Sequence, residues 1–350
     1  MKKILWFFLS GLAPLSVVIV ALYIFDPYQF FHKPIFRKTI FSSDMYYQAA
    51  GIINNYEFDS VILGSSILVN TSSLEASQKL NGKWVNLSAG GASIEIRTDM
   101  LSYMLKSQKI HNIIFSLEPG WLLNKNNTPN KYAYLYDNSR FNDFQTYFDE
   151  YFIACIFFHN LCLKGQDNLD RPANWINEPS THMRLGGFSS WLNNSKRPDL
   201  GNIIKQIISF HDTQYSSTLQ EIYPPLIQLL KQYPNTNFIF IIPPFSRLSY
   251  KLNFTSIQNA ITNLLELKLQ NVLIYGFDNT DIPDNLALYI DTAHYSEKVN
   301  SFMLDAIKND THRITLENID SYFEETRKKV EAYDIEPLRK QIIESGVLDK

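Results

Sequence analysis

The chain has 350 residues, of which 45% are hydrophobic and 14% aromatic, enough to build one large or two ordinary domains with sizeable cores. This composition excludes disorder on a large scale. The formal net charge of -3 and the lack of long basic runs argue against nucleic acid as a partner, because nucleic-acid recognition usually involves a strongly basic face.

The first 25 residues predict a membrane anchor. Lys2 and Lys3 precede an uncharged stretch of 22 residues, Ile4 to Phe25, which is long enough to cross a bilayer. Bulky residues continue up to Asp26 where a signal peptide would carry small residues, so an uncleaved anchor is preferred to a cleaved signal. With the two lysines in the cytoplasm, everything after Asp26 is predicted to be periplasmic or at the cell surface. The remaining alternative is a buried core helix.

Residues 26–56 are predicted to be an aromatic and basic connector, either resting on lipid headgroups or serving as a plain linker. From residue 57 to about 310, short apolar runs alternate with helical segments, which predicts an α/β domain with parallel strands and crossover helices. The predicted strands are Ser60–Leu63, Trp84–Leu87, Asn112–Leu117, Phe238–Ile242 and Val272–Tyr275, and the predicted helices are Ser72–Leu80, Ile94–Lys106, Leu219–Gln232 and Ser256–Leu267.

An aromatic insertion, at about residues 118–215, interrupts this alternation. Its Tyr132 to Tyr136 segment and Trp175 are candidates for stacking on sugar rings, with core packing as the alternative. Cys155 and Cys162 lie in a predicted helix, Tyr151 to Leu163, where seven residues span about 10 Å, so free thiols are favoured over a disulfide. Residues 311–350 predict a charged helical extension.

No Cys/His cluster has metal-ligand spacing, so neither a metal nor another cofactor is predicted.

Three residues from distant parts of the chain suggest nucleophilic chemistry. Ser66 follows the predicted strand Ser60–Leu63, and Asp291 and His294 lie three residues apart in a late loop. This is the chain order of a nucleophile, an orienting carboxylate and a general base assembled by folding. The alternatives are that Gly64-Ser65-Ser66 only forms a turn and helix cap, and that Asp291 caps the helix starting near Ser296. Ser65 is the fallback nucleophile.

Backbone amides near the second predicted strand are candidates for an oxyanion hole. Gly90 and Gly91 permit a tight turn, and the amides of Ser66 and Gly91 are the predicted donors. A turn that only allows the next helix to pack closely is equally compatible with these glycines.

At these positions the chain resembles the SGNH/GDSL hydrolase superfamily. Gly64-Ser65-Ser66 is similar to its first block, Gly90-Gly91-Ala92-Ser93 to its second, and Asp291-Thr292-Ala293-His294 to its fifth. The Gly-Ser-Ser variant and the predicted anchor also resemble membrane-anchored members such as the teichoic acid D-alanylation and exopolysaccharide O-acetylation proteins. One departure is that Glu118-Pro119-Gly120-Trp121 stands where the family's third block, Gly-x-Asn-Asp, supplies an oxyanion Asn.

The resemblance implies a three-layer α/β/α fold with a flavodoxin-like parallel sheet and an acyl ester substrate outside the cytoplasm. The sequence thus favours acyl transfer or ester hydrolysis on a surface polysaccharide, with an acyl donor, a polysaccharide acceptor and a membrane-bound acyltransferase as partners. The competing hypothesis is a noncatalytic glycan-binding or assembly protein, which the missing Asn favours. A third is an unrelated α/β domain with an accidental resemblance.

Overall fold

The structure is a computed structural model that describes residues 2–118, 130–158, 164–171, 184–194, 197–210, 222–250 and 254–347. The side chains of residues 2–12, 155–157 and 254–257 lie outside this description. In the described ranges the helices are α1 Lys2–Phe25, α2 Met45–Asn55, α3 Ser73–Leu80, α4 Ile94–Ser107, α5 Glu150–Phe157, α6 Phe188–Leu192, α7 Leu200–Ile208, α8 Pro224–Gln232, α9 Arg247–Tyr250, α10 Phe254–Glu266, α11 Glu297–Lys308, α12 Ile319–Ala332 and α13 Glu336–Glu344.

One sheet of six strands organises the described part of the chain. The strands are β1 Ser60–Leu63, β2 Trp84–Asn86, β3 Asn112–Ser116, β4 Asn237–Ile242, β5 Val272–Gly276 and β6 Arg313–Ile314, in the spatial order β2-β1-β3-β4-β5-β6. The first five are parallel, as the sequence predicts, and β6 pairs antiparallel with β5, which the sequence analysis missed. A strand of only two residues is too short to give a recognisable alternation.

Alternate residues along the strands enter two separate cores, because successive side chains of a strand point to opposite faces. On β1, for example, Val61 and Leu63 join one core and Ile62 joins the other. Helices cover both faces, so the strands are buried on both sides and consist of near-continuous apolar runs. The fold is therefore α/β with a mostly parallel central sheet.

Helix capping explains where the first two crossover helices begin. Ser72 precedes α3 and its hydroxyl accepts from the Glu75 amide at 3.0 Å, while Ser93 precedes α4 and accepts from the Ile96 amide at 3.5 Å. A serine at this position satisfies an amide that has no partner within the helix. Both helices therefore start directly after the turns that follow β1 and β2.

The predicted anchor coincides with α1. Over the residues that the structure describes, no helix is both long enough and apolar enough to cross a membrane. The predicted localisation stays a prediction, as do the predicted domain bounds.

The segment predicted as a connector is built into the fold. It contains α2, and its Phe30 and Phe41 are buried in the same core as β1. The Asp26 carboxylate accepts from the amides of Phe30 at 2.9 Å and Phe31 at 2.8 Å and from the Tyr147 hydroxyl at 2.6 Å. The segment therefore packs against the core and against Tyr147 of the aromatic insertion, and its role as a connector stays a prediction.

The C-terminal segment contains α12 and α13, which pack against the two cores. Tyr322 and Phe323 of α12 pack in one core, and Leu338 and Ile342 of α13 pack in the other. This placement makes residues 319–344 an integral part of both helical layers.

Candidate active site

The turn after β1 presents Ser66 at the carboxyl edge of the sheet. Gly64 leaves no room for a side chain there, since a Cβ atom would lie 2.7 Å from the Ser116 hydroxyl and 2.9 Å from Leu68 Cβ. Ser66 is partly exposed, and its Oγ lies 2.7 Å from Nε2 of His294. The tight turn thus brings the hydroxyl to a histidine 228 residues later in the chain.

The loop between β5 and α11 holds the histidine. Oδ2 of Asp291 lies 2.7 Å from Nδ1 of His294, and Oδ1 accepts from the amides of Ala293 at 2.8 Å and His294 at 2.6 Å. Burial alone would raise the pKa of Asp291, but the hydrogen bonds and charge of His294 and the Ala293 amide together lower it below 3.8. An ionised carboxylate only accepts, so Nδ1 carries the proton and Nε2 accepts from the Ser66 hydroxyl.

The structure therefore brings Ser66, His294 and Asp291 into one hydrogen-bonded chain, as the sequence predicts, while their catalytic roles stay predictions. The alternative that Asp291 caps a helix is wrong, because α11 starts at Glu297 with Ser296 as its N-cap residue. Ser65 lies elsewhere, with its Oγ accepting from the Ile67 amide at 3.4 Å. Ser66, rather than Ser65, is the serine in contact with His294.

Three hydrogen bonds that could not be predicted from the sequence hold the histidine loop in place. The carbonyl oxygen of Thr292 accepts from the Ser246 amide at 3.1 Å, the Ser246 hydroxyl at 2.7 Å and the Ser249 hydroxyl at 2.8 Å. Three donors on one carbonyl tie the loop to the segment after β4. Pro243 and Pro244 mark that turn in the sequence, but no local pattern shows which loop its serines reach.

Two hydrogen bonds join the turn after β2 to the turn that carries Ser66. Ser88 Oγ accepts from the Gly64 amide at 2.9 Å, and the Ala89 amide donates to the Gly64 carbonyl at 3.1 Å. Asn86 supports this turn through its side-chain oxygen, which accepts from the Ser88 amide at 2.9 Å. Asn86 and Ser88 therefore support the neighbouring turn, which carries Ser66, through hydrogen bonds.

The predicted oxyanion donors lie on these two turns, Ser66 after β1 and Gly91 after β2. Gly91 is exposed and has a φ of 72°, a left-handed conformation that favours glycine. Within the described ranges, no protein group accepts a hydrogen bond from the amide of Ser66 or Gly91. Both amides are therefore available to a ligand, and their role as oxyanion donors stays a prediction.

A buried acid follows β3, at the position where the SGNH-like pattern lacks its Asn. Glu118 is fully buried, and its Oε1 accepts from the Ser65 amide at 3.3 Å and from the Ser116 hydroxyl. Arg97 of α4 lies 4.0 Å away and is also fully buried. The signal available in the sequence was a lone charge directly after an apolar strand. Residues 119–121 lie outside the described residues.

The aromatic residues proposed for sugar stacking divide into two groups. Tyr132 and Tyr136 are buried, and Tyr132 stacks on Tyr46 with ring centroids 4.6 Å apart, so these two rings build the core and are unavailable to a glycan. Tyr134 is partly exposed. Trp175 and Cys162 lie outside the described residues, and the predicted cysteine state stays a prediction.

Comparisons with known proteins add little to this picture. No protein-family model matches the chain, and no curated protein matches its sequence. Among solved structures, a candidate platelet activating factor from Streptococcus pneumoniae is similar, with 13% sequence identity and a TM-score of 0.37 over 77% of this chain and 91% of that chain. A likeness at this level assigns neither a family nor an activity, so the functional argument rests on the geometry of the site.

Proposed function

We propose that the protein is a serine-dependent acyl ester hydrolase or O-acyltransferase. The observation that carries this proposal is the continuous hydrogen-bonded chain from Ser66 Oγ through His294 to Asp291, with both contacts at 2.7 Å. Nucleophile, base and orienting carboxylate at these distances are the arrangement that activates a serine hydroxyl. Three side chains from two remote loops meet in the order that this chemistry requires.

The reaction follows from this geometry. Ser66 Oγ attacks the acyl carbonyl carbon while His294 Nε2 takes the hydroxyl proton, and Asp291 stabilises the imidazolium that results. The amides of Ser66 and Gly91 hold the oxyanion of the tetrahedral intermediate. Its collapse breaks the ester C–O bond, and His294 returns the proton to the leaving alcohol oxygen. Water or a sugar hydroxyl then attacks the acyl-Ser66 ester, which gives hydrolysis or O-acyl transfer.

Within this proposal the fold is a three-layer α/β/α domain of the SGNH type, and the substrate is an acyl ester of a surface polysaccharide outside the cytoplasm. The strand order β2-β1-β3-β4-β5 supports the fold, since it is one of the two common orders of doubly wound sheets. Ligands of such sheets bind beyond the carboxyl ends of the strands, where Ser66 lies.

Covalent labelling by a fluorophosphonate, followed by intact mass, tests the proposal. The full-length wild type and Ser65→Ala are expected to gain one adduct, Ser66→Ala none, and His294→Ala to react at least about 100-fold more slowly. Ser65→Ala is the matched control, because its hydroxyl lies one residue away and contacts a backbone amide instead of His294. A folded wild type that gains no adduct, or an adduct that persists in Ser66→Ala, contradicts the proposal.

A noncatalytic glycan-binding protein is the second candidate. The observation that favours it is Glu118, since a buried acid stands at the position from which the SGNH family supplies an oxyanion donor. Loss of one such donor costs about 10² to 10³ in rate. Glycan-array binding that is equal for wild type and Ser66→Ala, together with no fluorophosphonate adduct, would establish this function.

A further inference from the structure

The turn that carries Ser66 rests on a buried carboxylate. Oε1 of Glu118 accepts from the Ser65 amide at 3.3 Å, one residue before the serine in contact with His294. The Ser116 hydroxyl donates to the same oxygen from the end of β3. Glu118 thus joins the β1 turn to the neighbouring strand at the carboxyl edge of the sheet.

Arg97 compensates the charge of this carboxylate. Its Nη1 donates to the carbonyl of Ser116 at 2.8 Å and to the Ser116 hydroxyl at 3.1 Å, and lies 4.0 Å from Glu118 Oε1. An arginine is charged at any ordinary pH, so the pair has no net charge. An oxyanion forming on the substrate carbonyl would therefore face a neutral pair instead of a bare carboxylate.

The hydrogen bonding of the pair is incomplete. Nε and Nη2 of Arg97 and Oε2 of Glu118 have no hydrogen-bond partner within the described ranges, although both residues are fully buried. Burying charges with incomplete hydrogen bonding costs free energy, and apolar residues of similar volume are often as stable or more stable. Apart from the contact of the Arg97 guanidinium with the Phe115 ring, at 4.6 Å from its centroid, these charged atoms gain little from their surroundings, so a role beyond stability is favoured for the pair.

The field of the carboxylate also reaches the histidine loop. Tyr295 follows His294 directly and is buried, and the negative charge of Glu118 adds to burial in raising the pKa of its hydroxyl well above 10. Glu118 therefore acts electrostatically on one side chain of the histidine loop, beside its hydrogen bond to the nucleophile turn.

We propose that Glu118 is a positioning residue for the nucleophile turn: its carboxylate, neutralised by Arg97, fixes the Ser65 amide so that Ser66 faces His294. This inference rests on the proposed function for its chemical consequence. The hydrogen bond to the Ser65 amide can be measured without any activity.

The experiment compares Glu118→Gln and Glu118→Ala with wild type in the full-length protein. Glutamine keeps one acceptor oxygen without the charge, and alanine removes the acceptor. Glu324→Gln is the matched control, because this carboxylate is partly exposed on α12 and forms its ion pairs with Arg327 and Lys328 of the same helix. Thermal unfolding identifies the variants that fold, and hydrogen exchange resolved at the Ser65 amide reports the hydrogen bond directly.

Exchange at the Ser65 amide is expected to accelerate in the order wild type, Glu118→Gln, Glu118→Ala. The maximal rate of fluorophosphonate labelling is expected to fall in the same order, about 10-fold for Gln and about 100-fold for Ala, because a misplacement near 1 Å costs rates of that size. The reversible affinity for the reagent is expected to stay unchanged. A merely structural role would lower the unfolding temperature and leave the rate per folded molecule as in wild type.

The outcomes separate this inference from the proposed function. A folded Glu118→Gln that exchanges and labels like wild type overturns the positioning role, whether or not Glu118→Ala folds. If wild type is not labelled but the Ser65 amide exchanges faster in both variants, the positioning of the turn stands and the acyl chemistry fails. If wild type is labelled and both variants exchange and label like wild type, the acyl chemistry stands and the positioning role of Glu118 fails.

Discussion

Asp291→Asn changes one atom of the site and reverses its hydrogen bonding. In the protein, Oδ1 accepts from the amides of Ala293 and His294, and Oδ2 accepts from Nδ1 of His294. The Asn side-chain oxygen can keep the two hydrogen bonds from the backbone amides of Ala293 and His294, since it occupies the place of Oδ1. Its NH2 group then faces Nδ1 and can only donate, which leaves the loop in place but forces Nδ1 to accept.

The magnitude follows from the tautomer. A neutral imidazole that accepts at Nδ1 carries its proton on Nε2, the atom 2.7 Å from Ser66 Oγ. That nitrogen can no longer take the serine proton, and the same exchange in a Ser-His-Asp serine protease lowers kcat by about 10⁴. We therefore expect labelling to slow by about 10⁴, which corresponds to about 5 kcal/mol of transition-state stabilisation.

The assay is the second-order rate of fluorophosphonate labelling at pH 7, beside thermal unfolding. The pKa of Asp291 is lowered from 3.8, so its carboxylate supports the loop at all pH values above 3.8 and loses that role only as pH falls further. Asp281→Asn is the matched control, because it removes a carboxylate paired with Lys329 on the surface. A folded Asp291→Asn that is labelled within about tenfold of the wild-type rate would refute the tautomer argument.

Three further predictions test how the site is held. Gly64→Ala is expected to lower the free energy of unfolding by about 1 to 3 kcal/mol, since its Cβ would lie within 3 Å of two side chains, whereas Gly90→Ala meets no atom within 4 Å and should change it by less than about 0.5 kcal/mol in chemical denaturation. The double variant Ser246→Ala, Ser249→Ala removes two hydroxyl groups that donate to the Thr292 carbonyl of the histidine loop, and it is expected to slow labelling about tenfold. A double variant that is labelled at the wild-type rate would contradict the role of these hydrogen bonds. Burial raises the pKa of Asp278 from 3.8 to about 8, so the folded state holds that proton more tightly, and the stabilisation is complete below pH 3.8 and lost as pH rises towards 8. Asp278→Asn should therefore flatten the decline of the unfolding temperature between pH 5 and 8, and a decline as steep as in wild type would contradict this assignment.

The five parallel strands and the helices α3, α4, α8 and α10 could be predicted from the sequence because each depends on local pattern. Continuous apolar runs specify parallel strands that are buried on both faces, so Ser60–Leu63 is predicted with its correct bounds. The caps Ser72 and Ser93 were not predicted, although serine is a residue type that favours this position. In contrast, α2 begins after Asp44 without a side-chain cap and lies in a segment of aromatic and basic residues that looks like a linker.

The candidate triad could also be predicted in part, since the spacing of Asp291 and His294 and the glycine before Ser65 are local features. The sequence by itself determined the strand turns, their helices and the residue types able to act as nucleophile and base. Only the tertiary structure decided that Ser66 instead of Ser65 meets His294, that Tyr132 packs inside, and that Glu118 and Arg97 form one buried pair. The physical reason is that these contacts join residues far apart in sequence, and their free energies depend on burial and distance that no local pattern encodes.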